Sequence, residues 1–180
     1  GLVICEDVWE PGPVSETVAA GADVIVVINA SPFHHGKAIE REEVVVRQRA
    51  QENQVPVVYV NQVGGQDELV FDGASHVIDA AGNTRARLPI FETALRDITL
   101  QREELGWQPR AADIAPHGSL EHRVYQALVT GVRDYVEKNA FKGVVIGLSG
   151  GIDSALTLAV AVDALGKERV EAVMMPYHYT

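Results

Sequence analysis

Cysteine is nearly absent from this chain, and basic residues are scarce relative to acidic ones. The only cysteine among the 180 residues is Cys5, which excludes an internal disulfide and suits a reducing compartment such as the cytoplasm. Fifteen Lys and Arg accompany 25 Asp and Glu, and the resulting net charge of −10 argues against general binding to nucleic acid or to an anionic membrane. No run of about 18 apolar residues occurs, so no membrane-spanning helix is predicted.

Methionine is also rare, and its position is informative. Residue 1 is Gly, the first methionine is Met174, and Gly1–Ile4 reads as the middle of a strand. Both ends therefore look like interior sequence, and we expect the chain to be a fragment of a longer polypeptide. Its apolar fraction of 47% and charged fraction of 22% predict a folded globular protein.

Short apolar runs alternate with helical patterns in the first half of the chain. Buried strands are predicted at Leu2–Ile4, Asp23–Ile28 and Pro56–Asn61. Helices are predicted over Val14–Ala20 and Lys37–Asn53, and a hairpin with a glycine turn over residues 75–88. This order of elements indicates an α/β or α+β layer fold.

Periodicity is weak over residues 99–118, where Pro109, Pro116 and Gly118 indicate a linker. Beyond it, Ser119 is a good N-cap for a long helix. The strand Val144–Leu148, a glycine-rich turn, a helix over Ser154–Leu165 and the strand Val170–Met174 then predict a parallel β-α-β unit.

The glycine-rich turn reads Ser149-Gly150-Gly151-Ile152-Asp153-Ser154. A helix start offers unpaired N–H groups and a partial positive charge, both suited to phosphate, and glycines allow close approach of a ligand. Because the Asp153 carboxylate would repel phosphate, the turn predicts Mg²⁺ bound between the two, with Asp153 as the metal ligand. The alternative is a helix cap, with Asp153 or Ser154 as the N-cap residue.

These six residues resemble the S-G-G-x-D-S signature of the ATP pyrophosphatase family, whose members cleave ATP between the α and β phosphates and adenylylate a substrate. The lysine-containing P-loop and the G-x-G-x-x-G motif both have different spacing. The resemblance implies ATP as co-substrate and Mg²⁺ on Asp153, with ATP bound at Gly147, Leu148, Ser149, Gly150, Gly151, Ile152, Asp153 and Ser154.

Cys5 ends the first predicted strand and precedes a turn, so its thiol is expected at the rim of a sheet. A sulfur nucleophile in that place is followed by backbone N–H groups that can stabilise an oxyanion. The alternative is a small buried apolar residue. His34 and His35, in a loop beside Pro32, are expected at the surface.

The segments GLVICEDVW, NASPFHHGK and VYVNQVGGQDELVFDGAS resemble the second half of a nitrilase-type amidase domain, over residues 1–91. That family uses a Cys nucleophile, a Glu general base and a Lys that steadies the tetrahedral intermediate. The resemblance places Cys5 at the nucleophile position. The Glu and Lys belong to an earlier part of the domain that is not in this sequence, and Glu6 and Lys37 are not their replacements.

More narrowly, these segments resemble the glutaminase domain of glutamine-dependent NAD⁺ synthetases. The resemblance implies that Ser31 and Lys37 contact the substrate glutamine and that Trp9 lines its pocket. The alternatives are a serine turn before Pro32, a solvated lysine at a helix start and a tryptophan packed in the core. An acidic segment is interpreted as a solvated loop rather than part of a pocket or domain interface; it comprises Asp67, Glu68, Asp72 and Gly73.

A nitrilase-type glutaminase directly before an ATP pyrophosphatase signature is the arrangement of the glutamine-dependent NAD⁺ synthetase family, which VMMPYHYT at residues 173–180 also resembles. The resemblance implies an α/β fold: the C-terminal half of a nitrilase-like α-β-β-α sandwich (1–98), a linker (99–118) and the start of a Rossmann-like parallel-sheet ATP pyrophosphatase domain (119–180). It implies a cytoplasmic, homo-oligomeric ligase. Ammonia from glutamine amidates deamido-NAD⁺ through an acyl-adenylate, while ATP is cleaved to AMP and pyrophosphate.

Two other hypotheses stay open. One is a nitrilase-type amidase without ATP dependence, in which the turn Ser149–Ser154 is incidental. The other is an inactive fragment that keeps a pyrophosphate-binding turn but has no turnover, because the Glu and Lys are missing and the second domain is short.

Overall fold

The computed structural model describes residues 1–104 and 106–175 of the chain. Contacts divide the chain into two units: Gly1–Val63 with Phe71–Ser119, and Gly64–Val70 with the residues from Leu120 onward. The last five residues of VMMPYHYT lie outside the described residues.

Eleven strands and five α-helices are described. The strands are β1 (Leu2–Ile4), β2 (Ile25–Asn29), β3 (Val57–Asn61), β4 (Val63–Gln66), β5 (Leu69–Asp72), β6 (His76–Ile78), β7 (Thr84–Arg87), β8 (Leu100–Glu103), β9 (Gly106–Pro109), β10 (Val144–Leu148) and β11 (Val170–Met174). The helices are α1 (Pro11–Ala19), α2 (Lys37–Ile39), α3 (Arg47–Asn53), α4 (Leu120–Lys138) and α5 (Ile152–Leu165), with a π-helical segment, Glu40–Val46, joining α2 to α3.

The first unit is built on a five-stranded sheet in the order β1-β2-β3-β6-β7. Strands β1, β2 and β3 are parallel, and β6 and β7 add to them as an antiparallel hairpin. The apolar runs and the hairpin predicted from the sequence are confirmed, with bounds shifted by one or two residues, as is usual at element ends. The predicted helix over residues 37–53 is confirmed as one continuous helical stretch whose middle is π-helical.

One face of this sheet carries the core of the first unit. Val3, Ile25, Val27 and Val57 alternate along their strands toward α1 and α3 and are almost fully buried. The opposite face remains open in this chain; its exposed apolar residues are Leu2, Ile4, Ile28 and Val60.

Two pairs of strands were not predicted. Strands β4 and β5 form a two-stranded sheet in the stretch interpreted as a solvated acidic loop. Strands β8 and β9 pair antiparallel within the segment interpreted as a linker. All four strands have only four residues. Strands β4, β8 and β9 are rich in polar residues or glycine, and the three apolar residues of β5 are too few for a strand prediction.

The second unit combines α4, the parallel pair β10–β11 and α5, with an apolar core that includes Val129, Val136 and Val160. The parallel β-α-β arrangement predicted for this region is confirmed. Residues 64–70 pack on α4, where the Gly65 amide donates to Asp134 Oδ2 at 2.7 Å and Lys138 Nζ donates to the Gly65 carbonyl oxygen. Within the described residues, no helix is both long and apolar enough to cross a membrane.

The start of β10 leaves no room for a side chain at Gly143. A Cβ there would collide with the backbone of Arg169, so Gly143→Ala must displace β10 from the turn before β11. We expect it to destabilise the second unit by roughly 1–3 kcal/mol, measured by chemical denaturation of the protein. Gly12→Ala in α1 is the control. Its Cβ meets only Glu16 Oε1 at 4.0 Å, and alanine favours a helix. Equal effects of the two substitutions would contradict this account.

Candidate functional sites

Cys5 sits at the carboxyl end of β1 in a strained backbone conformation. Its φ is +48°, a left-handed value that non-glycine residues rarely adopt, and a 3₁₀ turn over Cys5–Val8 follows immediately. The Ile4 amide donates to Asp7 Oδ2 at 2.8 Å, which ties the turn to the end of the strand. Cys5 is only half-buried, so the interpretation as a fully buried apolar residue is wrong.

The parallel register brings Cys5 to the same edge as the ends of β2 and β3. Ile4 lies opposite Ile28, and Asn29 lies opposite Asn61, so the three strands end at one level. Ser31 follows β2 by two residues. Cys5 and Ser31 therefore lie at the carboxyl edge of the sheet, where parallel sheets commonly bind ligands.

Ser31 is buried, and both of its backbone polar groups are held by side chains. The Ser31 amide donates to Asn61 Oδ1 at 2.9 Å. Its carbonyl oxygen accepts from Asn61 Nδ2 and from Arg41 Nη1, each at 3.2 Å. The segment leading from β2 is consequently fixed in place.

Lys37 and Trp9 contact each other. Lys37 Nζ lies 4.5 Å from the centre of the Trp9 ring, a cation–π arrangement. Trp9 is half-buried and also packs against the core cluster of the first unit. Lys37 is half-buried as well and is the first residue of α2, so both the contact with glutamine and the partly solvated lysine at a helix start stay open. His34 and His35 are exposed, as expected.

The acidic segment divides into two parts. Asp67 and Glu68 lie in the exposed turn between β4 and β5, whereas Asp72 is 1% exposed and is bound by Arg41 Nη2, which lies 2.6 Å from each carboxylate oxygen. The interpretation as a solvated loop is therefore wrong for Asp72. Its partner is 31 residues away, so no local pattern could reveal the pairing.

Glu42, the residue after Arg41 in the π-helical segment, forms a second buried ion pair that the sequence did not indicate. Glu42 accepts from Arg87 Nε and Nη2 and from Thr84 Oγ1, each at 2.6 Å. His117 Nε2 lies 3.2 Å from Glu42 Oε2. Burial alone would raise the pKa of Glu42, but the neighbouring His117 and the hydrogen bonds from Arg87 and Thr84 outweigh burial and hold that pKa well below the usual range.

Tyr59 and His76 stack in the core behind this edge, with ring centres 4.9 Å apart. Burial raises the pKa of Tyr59 to about 12, and its hydroxyl faces Ser31 and Arg41 without a hydrogen bond of good geometry to any described residue. His76 Nδ1 donates to the Ala74 carbonyl oxygen at 2.9 Å. Burial lowers the pKa of His76 to about 4, although the nearby Glu42 carboxylate partly opposes this effect.

The glycine-rich turn in the second unit connects β10 to α5. Gly150 has φ +87°, which favours glycine, and Gly151 is the N-cap residue. Ser149 Oγ and Ser154 Oγ approach to 3.3 Å across the bend, and Ser154 Oγ donates to the Gly151 carbonyl oxygen at 3.0 Å.

Helix α5 begins two residues earlier than predicted, at Ile152, so Asp153 and Ser154 lie in its first turn. The capping interpretation is wrong, because the N-cap is Gly151 and no side chain caps the helix. Ile152 and Asp153 are exposed, whereas Leu148 is half-buried at the end of β10. Gly147 packs closely on Met175, where a Cβ would approach its sulfur to 2.5 Å.

Metal binding at this turn would depend on a single protein carboxylate. Among the described residues, no three His, Cys, Asp or Glu side chains are grouped so as to hold a metal ion. Asp153 is exposed and makes no ion pair with another described residue, so its carboxylate is accessible. This fits Mg²⁺, which commonly uses one or two carboxylates together with substrate phosphates and water.

Lowering the pH should destabilise the first unit through His76. The folded-state pKa, about 4, lies below the ordinary 6.5, so the unfolded chain takes up the proton first as the pH falls. The contribution of neutral, buried His76 to the stability of the folded state is complete above pH 6.5 and is lost progressively as the pH falls to about 4. When the pH is lowered from about 7 to 5, the free energy of unfolding of the unsubstituted protein should fall by roughly 2 kcal/mol more than that of the His76→Phe variant. Phenylalanine keeps an aromatic ring beside Tyr59. Chemical denaturation at both pH values tests this, and identical pH sensitivity would refute it.

Family models match both parts of the chain. Residues 1–110 match the model described as carbon-nitrogen hydrolase, and residues 124–180 match the model described as NAD synthase.

Curated relatives match the whole chain. A glutamine-dependent NAD(+) synthetase of Rhodobacter capsulatus is 45% identical and covers 100% of this chain and 32% of its own length. One from Thermotoga maritima is 38% identical and covers 100% of this chain and 37% of its own. The structure of a glutamine-dependent NAD+ synthetase from Acinetobacter baumannii in complex with adenosine diphosphate matches with a TM-score of 0.92 and 44% identity, covering 100% of this chain and 34% of that one. The chain thus spans about a third of the length of these relatives.

Proposed function

Because the chain belongs to the carbon-nitrogen hydrolase family, we propose that Cys5 is the nucleophile of a glutaminase and that the chain is part of a glutamine-dependent NAD⁺ synthetase. The observation that carries this proposal is the pairing of two features in one chain. A strained, half-buried cysteine stands at a sheet edge, and an S-G-G-x-D-S turn opens a helix in the second unit. Synthetases with this activity in their names are similar to the chain along its whole length.

The first chemical stage takes place at the carboxyl edge of β1–β3. The Cys5 thiolate attacks the side-chain amide carbon of glutamine, and the C–N bond breaks as ammonia leaves with a proton from the general base. Water then hydrolyses the thioester, which yields glutamate and the free thiol. The general base Glu and the Lys of this family lie outside the sequence described here, so the isolated chain is expected to be inactive.

Ser31, Lys37 and Trp9 are proposed to bind the glutamine. Ser31 lies at the same sheet edge as Cys5, and a hydroxyl and an ammonium suit the polar ends of an amino acid. The contact between Lys37 Nζ and the Trp9 ring supports a shared role for these two residues. It holds the ammonium group beside the tryptophan, so both side chains can contact the same ligand.

The second stage is proposed for the turn Gly147–Ser154. The carboxylate of deamido-NAD⁺ attacks the α-phosphorus of ATP and expels pyrophosphate, and ammonia then displaces AMP from the acyl-adenylate to give NAD⁺. The amides at the start of α5 and the hydroxyls of Ser149 and Ser154 supply donors for the departing pyrophosphate. Bound Mg²⁺ would neutralise phosphate charge, and Asp153 is the residue that would hold it.

The open face of the first sheet supports the finer fold assignment. Leu2, Ile4, Ile28 and Val60 form an exposed apolar surface that a second sheet would cover. We therefore assign 1–98 to the C-terminal half of an α-β-β-α sandwich, 99–118 to a linker and 119–180 to the start of a Rossmann-like ATP pyrophosphatase domain. A cytoplasmic homo-oligomer is proposed for the complete protein from the same resemblance.

A nitrilase-type amidase without ATP dependence is the second candidate, favoured by the longer match of residues 1–110 to the carbon-nitrogen hydrolase model. Measuring pyrophosphate release separates the two. The synthetase releases pyrophosphate only with ATP and deamido-NAD⁺ present, whereas the amidase hydrolyses its amide without either.

Cys5→Ala in the full-length enzyme should abolish glutamine-dependent NAD⁺ formation, by at least roughly 10³-fold in kcat, because the nucleophile is removed. Ammonia-dependent NAD⁺ formation should persist, since free ammonia bypasses Cys5. Assays of both reactions on one preparation provide the internal control. Retained glutamine use would show that another residue is the nucleophile.

Asp153→Asn should reduce both the glutamine-dependent and the ammonia-dependent reactions, by roughly 10²-fold or more, because both require pyrophosphate to leave from the same turn. Asp163→Asn is the matched control on α5, since Asp163 is exposed and accepts from the Tyr125 hydroxyl at 2.7 Å, a bond that Asn can keep. Titration with Mg²⁺ should show that only the Asp153 variant needs a higher Mg²⁺ concentration for half-maximal activity. Equal activity of the two variants would contradict the assignment.

A further inference from the structure

The π-helical segment Glu40–Val46 buries two charged residues that are adjacent in sequence. Arg41 and Glu42 are each 1% exposed, and they bind different partners. π-Helical turns are rare and are often found at functional sites, because the wider turn re-aims side chains that an α-helix would direct elsewhere. Burying two charged side chains costs desolvation free energy unless each is fully paired. The partners of Arg41 and Glu42 therefore show what this burial achieves.

Arg41 connects Asp72 to the segment that follows β2. Its Nη2 lies 2.6 Å from both oxygens of Asp72, and its Nη1 donates to the Ser31 carbonyl oxygen at 3.2 Å. The guanidinium thus contacts a carboxylate and a backbone carbonyl at the same time. Lysine has one compact ammonium and cannot reproduce this planar arrangement.

Asn61 completes the enclosure of Ser31. Its Oδ1 accepts from the Ser31 amide at 2.9 Å, and its Nδ2 donates to the carbonyl oxygens of Ser31 and Gly73 at 3.2 and 3.1 Å. The buried side chains of Arg41 and Asn61 therefore hold both backbone polar groups of Ser31, while Asp72 holds Arg41. Buried networks of this kind rigidify a segment when every member is satisfied.

We propose that Arg41, Asp72 and Asn61 are positioning residues for glutamine recognition: they fix the backbone of Ser31 so that its hydroxyl is pre-organised for the substrate. This inference rests on the proposed glutaminase function. None of the three is assigned contact with glutamine. Their effect is on affinity for glutamine, because a mobile Ser31 must be ordered each time the substrate binds.

Glu42 provides a matched control within the same helical turn. It is equally buried and equally ion-paired, but its described partners are Arg87, Thr84 and His117, and none of its hydrogen bonds reaches Ser31. A substitution at Glu42 therefore reports the general cost of breaking a buried ion pair next to Arg41.

The test compares Arg41→Lys, Asn61→Ala and Glu42→Gln in the full-length enzyme. For Arg41→Lys and Asn61→Ala, the KM for glutamine should rise about tenfold or more, while ammonia-dependent NAD⁺ formation changes by less than about twofold. Glu42→Gln should lower the thermal midpoint without raising the KM for glutamine. Asn61→Ala removes the 3.4 Å bond from Asn61 Nδ2 to Asp72 Oδ1 but neither bond between Arg41 and Asp72, so it reports on Ser31 even if Arg41→Lys fails to fold.

Direct binding provides a second readout. In a Cys5→Ala background, calorimetry should show glutamine binding weakened by about tenfold or more in the Arg41 and Asn61 variants and unchanged in the Glu42 variant. Equal effects of all three substitutions, or no effect of Arg41→Lys and Asn61→Ala, would overturn the positioning role. Failure of the proposed function itself is distinct, because the enzyme would then show no glutamine-dependent reaction before any of these residues is changed.

Discussion

The parallel pairing of β1, β2 and β3 is the constraint on which the first site depends. Cys5, Ser31 and Asn61 are separated by 26 and 30 residues, yet the register places them at one edge of one sheet. A slip of one residue would turn every core side chain toward the open face, so burial of Val3, Val27 and Val57 enforces the register. The position of Cys5, the proposed nucleophile, is thus set by the packing of residues to which no chemical role is assigned.

Buried charged side chains fix the backbone at the carboxyl edge of β1–β3. The ion pairs Arg41–Asp72 and Glu42–Arg87 cost desolvation, and replacement by apolar side chains would often be no less stable. An apolar side chain, however, cannot hold the amide and carbonyl of Ser31. The polar cluster therefore fixes the backbone of Ser31, the residue proposed to bind glutamine, and that proposed role would account for charge at this depth. Within the described part of the chain, the glycine turn in the second unit carries no buried ion pair; there the Ser154 hydroxyl bonds the Gly151 carbonyl oxygen.

Much of the fold could be predicted because the main strands are continuous apolar runs. The predicted bounds of β1, β10 and β11 match the structure, and the N-cap residue Ser119 correctly indicated the long helix that follows it. Strands β4, β5, β8 and β9 were missed because each has only four residues, and all but β5 are rich in polar residues or glycine. The start of α5 was misplaced because Asp153 and Ser154 are good N-cap residues, although Gly151 takes that position.

From the residues alone, a site could be proposed only where its members are close in sequence, whereas Ser31 and Lys37 were proposed through the family resemblance. The six-residue turn is local, so its residues could be proposed as an ATP site from the sequence, and that assignment stays a prediction. The pairing of Arg41 with Asp72 joins positions 31 residues apart and could not be proposed from the sequence. Labelling the full-length enzyme with a diazoketone analogue of glutamine, followed by peptide mass spectrometry, tests the central claim most directly. The account predicts one covalent adduct, on Cys5, that excess glutamine prevents. An adduct on another residue, or one that glutamine does not prevent, would contradict it.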